Sequence, residues 1–220
     1  MHSFLLLVGG LVVALVALKL VALVLARRSR ETVSFGGPVR AVEIDLDAGE
    51  VTVRGSGRSD ARVRRTVRRG LRRPRITEAV DDGVLRLRVT SGIVQYEVDV
   101  PRGAAVVVRG DAASATVIGV AGFVELQAEA GSIEGRALGG SAVRATTTAG
   151  SIRLSFDRPP DRIDASTDRG SVDLALPEGD YDVDVSCTRG QGRIGVPVTP
   201  GARCHVRAHS SAGHVRISPR

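Results

Sequence analysis

The residues of this chain that could hold a metal ion are few and widely separated. The histidines are His2, His205, His209 and His214. On a strand, His205 and His209 would lie about 13 Å apart, at about 3.3 Å per residue, which is too far for both to bind one ion. Asp45, Asp47 and Glu50 loosely resemble a calcium loop, but they lack the further acidic positions and the bidentate glutamate of an EF-hand. The sequence therefore predicts no metal site and no cofactor, and outward-facing charges at these positions.

Serines that follow glycine are the nearest approach to a nucleophile motif. They occur at Gly131-Ser132, Gly150-Ser151 and Gly170-Ser171. A catalytic serine occurs once, whereas these pairs recur at regular intervals, and no G-x-S-x-G, P-loop or H-E-x-x-H sequence is present. The sequence therefore predicts no catalytic residues and a chain that is not an enzyme. A carbohydrate-active solenoid enzyme is a minor alternative, which would need carboxylates that converge on one outer face.

Two cysteines, Cys187 and Cys204, are candidates for a disulfide. Both share the inward side of the alternating patterns described below. If the repeats stack in register, the two positions are offset by at least about 13 Å along the strands. A disulfide requires Cα atoms within about 7 Å of each other. The sequence predicts buried free thiols, which fits a reducing compartment.

A dense cluster of arginines is the strongest charge signal in a chain of formal net charge +7. Its members are Arg62, Arg64, Arg65, Arg68, Arg69, Arg72, Arg73 and Arg75. A solvated edge strand or loop is one interpretation, because arginine at an edge deters sheet-to-sheet aggregation. Nucleic acid is disfavoured, since no aromatic residue lies in the segment to stack on a base. The hypothesis kept here is contact with anionic lipid headgroups, worth about 1 kcal/mol per arginine near the surface.

The elements that must position these residues follow a repeated pattern of alternation. A small residue, usually glycine, is followed two residues later by an apolar anchor. From the copy taken as Ala115-Thr116-Val117 onward, the anchors are Val117, Ile133, Ile152, Val172, Ile194 and Val215, and Gly49-Glu50-Val51 is an earlier copy. Gly190 or Gly192 precedes Ile194, so that copy is predicted to be longer by about two residues. A period near 20 with two short strands per copy is typical of a β-solenoid.

Parity is the same in every copy of the repeat. Apolar residues precede the glycine by seven and five positions, as at Val124 and Leu126, and follow it by two and four, as at Ile152 and Leu154. Residues of the opposite parity are mostly polar, which indicates strands with one buried face. The predicted fold is all-β, a solenoid-like stack of two-strand repeats. An antiparallel β-sandwich is the alternative, since it also has short strands at regular spacing.

An apolar segment near the start of the chain predicts one transmembrane helix. Residues 4–26 are interrupted only by Lys19, a run long enough to cross a hydrocarbon core of about 30 Å. A cleaved signal peptide is the alternative, but it needs a basic start and a shorter apolar run. The predicted organisation is an anchor with a basic flank at residues 1–30, a linker at 31–40 and a β-repeat domain at 41–220.

The charges beside the predicted helix indicate its orientation. Arg27, Arg28 and Arg30 follow it, and no lysine or arginine precedes it. By the positive-inside rule, the β-repeat domain lies in the cytoplasm of a single-pass plasma-membrane protein.

The repeated motifs also resemble a known family. The Gly-Ser-Ile and Gly-Ser-Val motifs, the turn Leu176-Pro177-Glu178-Gly179 and the closing Gly213-His214-Val215 look like the bacterial "putative adhesin" family, domain of unknown function 4097. The resemblance covers about residues 42–217. It implies a β-solenoid-like domain, often beside a membrane segment, with no established catalytic residues.

Together these observations predict a membrane-anchored, non-enzymatic scaffold or interaction module at the plasma membrane, with a role in cell-envelope maintenance or its regulation. Its expected partners are the membrane, through the anchor and anionic lipids, and an unidentified protein. An exported surface adhesin or envelope-binding domain is the main alternative.

Overall fold

The computed structural model of the chain describes residues 28–68 and 74–220, and every regular element in these ranges is a β-strand. The strands are β1 Arg28–Phe35, β2 Ala41–Ser56, β3 Ala61–Arg68, β4 Arg75–Asp81, β5 Val84–Pro101, β6 Ala105–Ile118, β7 Val124–Ala130, β8 Ile133–Leu138, β9 Ala142–Ala149, β10 Ile152–Phe156, β11 Arg162–Arg169, β12 Val172–Leu176, β13 Tyr181–Arg189, β14 Gly192–Ile194, β15 Cys204–Ala212 and β16 Val215–Pro219. Within these ranges no helix is long and apolar enough to cross a membrane. The predicted anchor at residues 4–26 lies outside the described residues.

The repeats stack as parallel coils, each with two strands. The first strand of a coil pairs with the first strands of the neighbouring coils, as β9 does with β7 and β11, and we name this row of strands arm A. The second strands pair in the same way, as β10 does with β8 and β12, and form arm B. The longer strands β2, β5 and β6 bend and contribute to both arms. Parallel pairing in register confirms the solenoid-like fold and excludes the antiparallel sandwich.

The inward face of both arms has the predicted parity. Val124, Leu126, Ile152 and Leu154 are at most 2% exposed, and they belong to one continuous apolar core that runs the length of the stack. Most of its side chains are Val, Ile, Leu and Ala, which pack in register on the coils above and below. Burial against neighbouring coils stabilises each repeat, because a single coil has no core of its own.

The glycine between the two strands of a coil marks the corner where the chain leaves arm A for arm B. At Gly170, with a φ of +150°, a Cβ atom would lie 2.0 Å from the carbonyl oxygen of Gly150 in the next coil. Gly131, Gly150 and Gly213 make the same close approach to a neighbouring backbone. At these glycines the corner leaves no room for a side chain, which explains why glycine recurs there in most of the repeats.

Stacking order differs from chain order at both ends of the solenoid. Near the start, β2 lies between β5 and β6. Near the end, β15 lies between β11 and β13, and β16 lies between β12 and β14. The coil formed by β13 and β14 is therefore the last of the stack, although it precedes β15 and β16 in the chain.

Antiparallel strands cover the first end of the stack. Strand β4 extends arm A beside β5, and β3 followed by β1 extends arm B. We name β1, β3 and β4 the cap. Residues 31–40 were predicted to be a linker, but residues up to Phe35 belong to β1. Val33 and Phe35 alternate with polar residues over a stretch too short to identify a strand from the sequence.

Two copies of the repeat sit in a different register from the one predicted. Ala115, not Val117, pairs with Ile133, and Ala113 occupies the corner position beside Gly131. The prediction took the β-branched Val117 as the anchor, whereas this coil has the small residue Ala115 there. Because the error in register is two residues, the assignment of inward and outward faces is unchanged. Gly192 pairs with Val215 and Ile194 with Ile217, so this copy has no extra residues.

Candidate binding surfaces

The outer face of the solenoid carries charged residues that pair between neighbouring coils. On arm A, Arg144 lies 3.9 Å from Asp164, and Arg207 lies 3.4 Å from Asp184. On arm B, Arg153 lies 3.8 Å from Asp173. Except for Asp164, these side chains are more than a third exposed, so each pair contributes little to the stability of the fold. The outer face is thus a regular, solvent-accessible array of alternating charge.

Open grooves lie along this outer face. One, of about 390 Å³, follows arm A and is lined by Arg162, Asp164, Asp182, Asp184, His205 and Arg207, among others. Another, of about 620 Å³, follows arm B and is lined by Glu134, Arg136, Arg153, Asp173 and Arg216, among others. Both hold acidic and basic groups side by side, an arrangement suited to a polar partner surface.

The structure divides the predicted arginine cluster by the direction of its side chains. Arg62 and Arg64 lie on the outer face of β3, where Arg64 binds Glu97 at 3.0 Å. Arg75 is exposed at the start of β4. Arg69, Arg72 and Arg73 lie outside the described residues, and the side chain of Arg68 is likewise not described.

Arg65 has the inward parity of β3 and belongs to the cap. Its guanidinium lies 2.8 Å from Glu78 of β4, and it also donates hydrogen bonds to Glu31. Tyr96 donates a hydrogen bond to the same Glu78 carboxylate at 3.1 Å. The side chains of Arg65 and Glu78 are only 22% and 10% exposed. Because β3 extends arm B and β4 extends arm A, this ion pair links the two arms across the first end of the solenoid.

Burial of this cluster changes the ionisation of Tyr96. Burial first, and then the negative charge of Glu78, raise the pKa of Tyr96 far above its ordinary value. Tyr181 is also fully buried, donates to the carbonyl of Pro177 at 2.8 Å, and has its pKa raised by burial. Neither tyrosine is poised for proton transfer at neutral pH.

The predicted acidic and histidine candidates do not converge. Asp45 pairs with Arg88, Asp47 accepts the backbone N–H of Ser91, and Glu50 accepts the amide of Gln95. His205 pairs with Asp182 at 3.1 Å, whereas His209 contacts Ser186 and Ser211. Throughout residues 28–68 and 74–220 no group of three or more His, Cys, Asp or Glu side chains could hold a metal ion.

The two cysteines are free and lie at opposite ends of their strands. Cys204 pairs with Tyr181, whereas Cys187 pairs with Ser210, so the two cysteines are offset by six positions along the strands. Both are half-buried rather than buried as predicted, because they lie in or beside the last coil, which has no neighbour on one side. Burial nevertheless raises the pKa of the Cys204 thiol.

A row of buried hydroxyls beside the glycine corner was not identified from the sequence. Thr147, Thr167 and Ser210 each stand three residues before a corner glycine and are at most 2% exposed. Each donates a hydrogen bond to the corner carbonyl of the adjacent coil, Thr167 to Gly150 at 3.0 Å. The recurrence of Thr or Ser at an inward position could have indicated this row.

Comparisons with known proteins support the fold. No protein-family model matches the chain, and no curated protein matches it. A crystal structure of a "putative cell adhesion protein" from Clostridium sporogenes is similar to it, with 10% identity and a TM-score of 0.54, over 88% of this chain and 100% of that one. A "putative adhesin" from Bacteroides fragilis has 16% identity and a TM-score of 0.45, over 89% and 99%. The likeness to the Clostridium sporogenes structure shows a shared fold, as the resemblance stated from the sequence implied.

Proposed function

We propose that this chain is a non-enzymatic interaction domain, held at the plasma membrane by residues 1–30, whose solenoid acts as a scaffold in envelope maintenance or its regulation. The observation that carries this proposal is the outer face of arm A. There the parallel coils hold rows of charge in fixed register, as at Arg207 and Asp184. Solvent-accessible pairs contribute little to stability, so they can exchange partners for a polar surface at small cost.

The proposed orientation places the solenoid in the cytoplasm. It follows from Arg27, Arg28 and Arg30, which flank the predicted helix on one side only. On the cytoplasmic side, Arg62 and Arg75 of the cap, with Arg68, Arg69, Arg72 and Arg73, contact anionic headgroups. Arg64 and Arg65 have carboxylate partners within the fold and contribute less.

A second candidate function is adhesion outside the cell. It is favoured by the shared fold with a structure described as a putative cell adhesion protein, over the whole length of that chain. Because one fold supports many functions, this argument is an analogy. The candidates differ in the side of the membrane on which the solenoid lies.

Reporter fusions to the full-length chain test the orientation. We expect a fluorescent protein fused after Arg220 to be bright and alkaline phosphatase at the same position to be inactive. Active phosphatase would instead support the adhesin.

Affinity capture with the full-length chain tests the interaction surface. We expect a bound protein to be lost from the variant Arg144→Glu with Asp164→Arg, which alters the rows on arm A. The control, Arg153→Glu with Asp173→Arg, makes the same change on arm B. If the arm A variant and the arm B variant captured equal amounts of the bound protein, a binding role for arm A would be contradicted.

A further inference from the structure

The two ends of the solenoid are closed differently. The first end is covered by the cap and by the Arg65–Glu78 ion pair. At the other end, β13 pairs with β15 and β14 pairs with β16. Within the described residues, the outer edge of β13 has one further contact. Tyr181 forms an isolated β-bridge with Val198, and its carbonyl accepts a hydrogen bond from the N–H of Thr199. Among the residues that the structure describes, no strand pairs with the edge of β13 beyond Tyr181 or with the outer edge of β14.

The open end also exposes apolar side chains that every preceding coil buries. Val183 and Val185 of β13 are half-buried, whereas Val206 and Ala208, their partners in the adjacent coil, are at most 1% exposed. Ile194 of β14 is 42% exposed, although its partner Ile217 is buried. An uncovered strand edge with an apolar inner face is a template for further pairing.

We propose that this end binds the same end of a second copy of the chain. The edge strands of the capped end, β1 and β4, are mostly polar, whereas the open end is apolar. The two apolar open ends are therefore the ones taken to meet. In a closed dimer each surface contacts its own equivalent through a two-fold axis. This inference concerns contact between copies and does not depend on the proposed function.

Charge on the two terminal strands selects the arrangement of the dimer. The outer face of β13 carries Asp182 and Asp184. The outer face of β14 carries the exposed Arg193, which lies beside Arg216 and has no ion pair among the residues that the structure describes. Pairing β13 with β13 of the partner would bring the acidic rows together, and pairing β14 with β14 would bring the arginines together. Pairing β13 with β14 places Asp184 near Arg193 of the other copy.

A two-fold axis through the corner at Gly190 produces this arrangement. When the axis bisects the angle between the arms, arm A of one copy is placed in line with arm B of the other, as adjacent layers of one stack. Strand β13 runs toward the corner and β14 runs away from it. The two therefore meet antiparallel, which is a favourable form of strand pairing. Both arms then continue from one copy into the next, and Val185 and Ile194 are covered.

Charge reversal tests this dimer in the full-length chain. Sedimentation in detergent micelles should show a dimer for the wild type. Asp184→Arg places two arginines together and Arg193→Asp places two acids together, so each should weaken dimerisation about tenfold or more. The double variant restores opposite charges on both copies and should regain the dimer.

Arg144→Asp, a reversal in the middle of arm A, is the matched control and should leave the dimer intact. Circular dichroism and melting temperature verify that each variant is folded. A monomeric wild type would overturn the proposal. So would a dimer that both single reversals leave unchanged, because the contact would then lie elsewhere, for example in residues 1–30. Failure of the double variant to regain the dimer would overturn the pairing of β13 with β14.

Discussion

At the scale of single residues, the fold depends on the glycine corner. At Gly131, Gly150, Gly170 and Gly213, adjacent coils approach so closely that the corner has room only for backbone. The row of hydroxyls at Thr147, Thr167 and Ser210 binds the corner carbonyls from inside. Strands that stack in register bring equivalent residues together in every coil. One local requirement is therefore repeated along the whole molecule.

Replacing a corner glycine should destabilise the protein strongly. In Gly170→Ala, the added Cβ would meet the Gly150 carbonyl oxygen at 2.0 Å, and the φ of +150° disfavours a side chain. We expect a loss of about 3 kcal/mol or more in the free energy of unfolding, measured with denaturant. Gly57→Ala, which has no atom within 4 Å of the added carbon, is the control and should change stability by less than about 0.5 kcal/mol. Equal stability of the two variants would contradict the close approach.

The two tyrosines should titrate abnormally. Burial raises the pKa of both Tyr96 and Tyr181, and the neutral form is the one that the fold favours. Their contribution to stability is therefore complete below the unfolded pKa of about 10 and is lost as the pH rises through the raised folded values. The chain has no tryptophan, so tyrosinate absorbance reports on these residues alone. Near pH 11, the folded protein should show much less tyrosinate than the denatured protein; coincident titration curves would refute this.

At the scale of elements, the solenoid uses two kinds of strand. The coils pair in parallel and repeat one register, whereas β1, β3 and β4 pair antiparallel and end the stack. A terminal unit of different character is common in repeat proteins, since it protects the core from solvent. Here the Arg65–Glu78 ion pair joins the two arms of the cap.

Loss of one partner of this ion pair should weaken the cap. Arg65→Ala leaves the largely buried Glu78 with the hydroxyl of Tyr96, and we expect a loss of about 1–3 kcal/mol, with faster hydrogen exchange in β4. The double variant Arg65→Met with Glu78→Leu should cost less, because it buries no unpaired charge. Arg64→Ala, on the outer side of the same strand, is the control and should cost less than about 1 kcal/mol. A double variant as unstable as Arg65→Ala would show that charge is not the cause.

Contact between the cap and anionic lipid should be measurable by hydrogen exchange. In nanodiscs that contain anionic lipid, β4 of the full-length chain should exchange more slowly than in neutral nanodiscs, and high salt should remove the difference. Arg62→Ser with Arg75→Ser should reduce it, whereas Arg136→Ser with Arg153→Ser, on the outer face of arm B, should not. Protection that does not depend on lipid charge would contradict the proposed contact.

At the scale of the whole molecule, one apolar core extends from the cap to the open end. Each coil except the last shares its buried face with neighbours on both sides. A charge introduced into the middle of this core therefore acts on several coils, whereas the outer face tolerates charge in either sign.

The two faces of the stack should thus respond differently to substitution. Ile133→Asp and Ile152→Asp place an unpaired charge at positions at most 1% exposed, and we expect a loss of several kcal/mol that can unfold the domain. Glu129→Lys exchanges one exposed charge for another and should have little effect. Thermal unfolding compares the three variants. Similar melting temperatures would refute the assignment of inner and outer faces.

Local patterns in the sequence were sufficient to predict the repeat, its parity and the class of the fold. They determine which residues face inward because alternation in a strand has period two, so even the misplaced register around Val117 left the correct residues buried. The resemblance to the "putative adhesin" family was likewise carried by short motifs at the corners and turns.

The order of the coils and the partners of the arginines were decided by tertiary structure. Nothing in the local pattern states that β15 and β16 insert beside β11 and β12, which leaves β13 and β14 as the open end. Nor does it state that Arg65 turns inward to Glu78. Both depend on contacts between residues far apart in the chain. Strands of equal parity and similar composition can exchange neighbours without changing their own pattern, and only the packing of the complete stack distinguishes the alternatives.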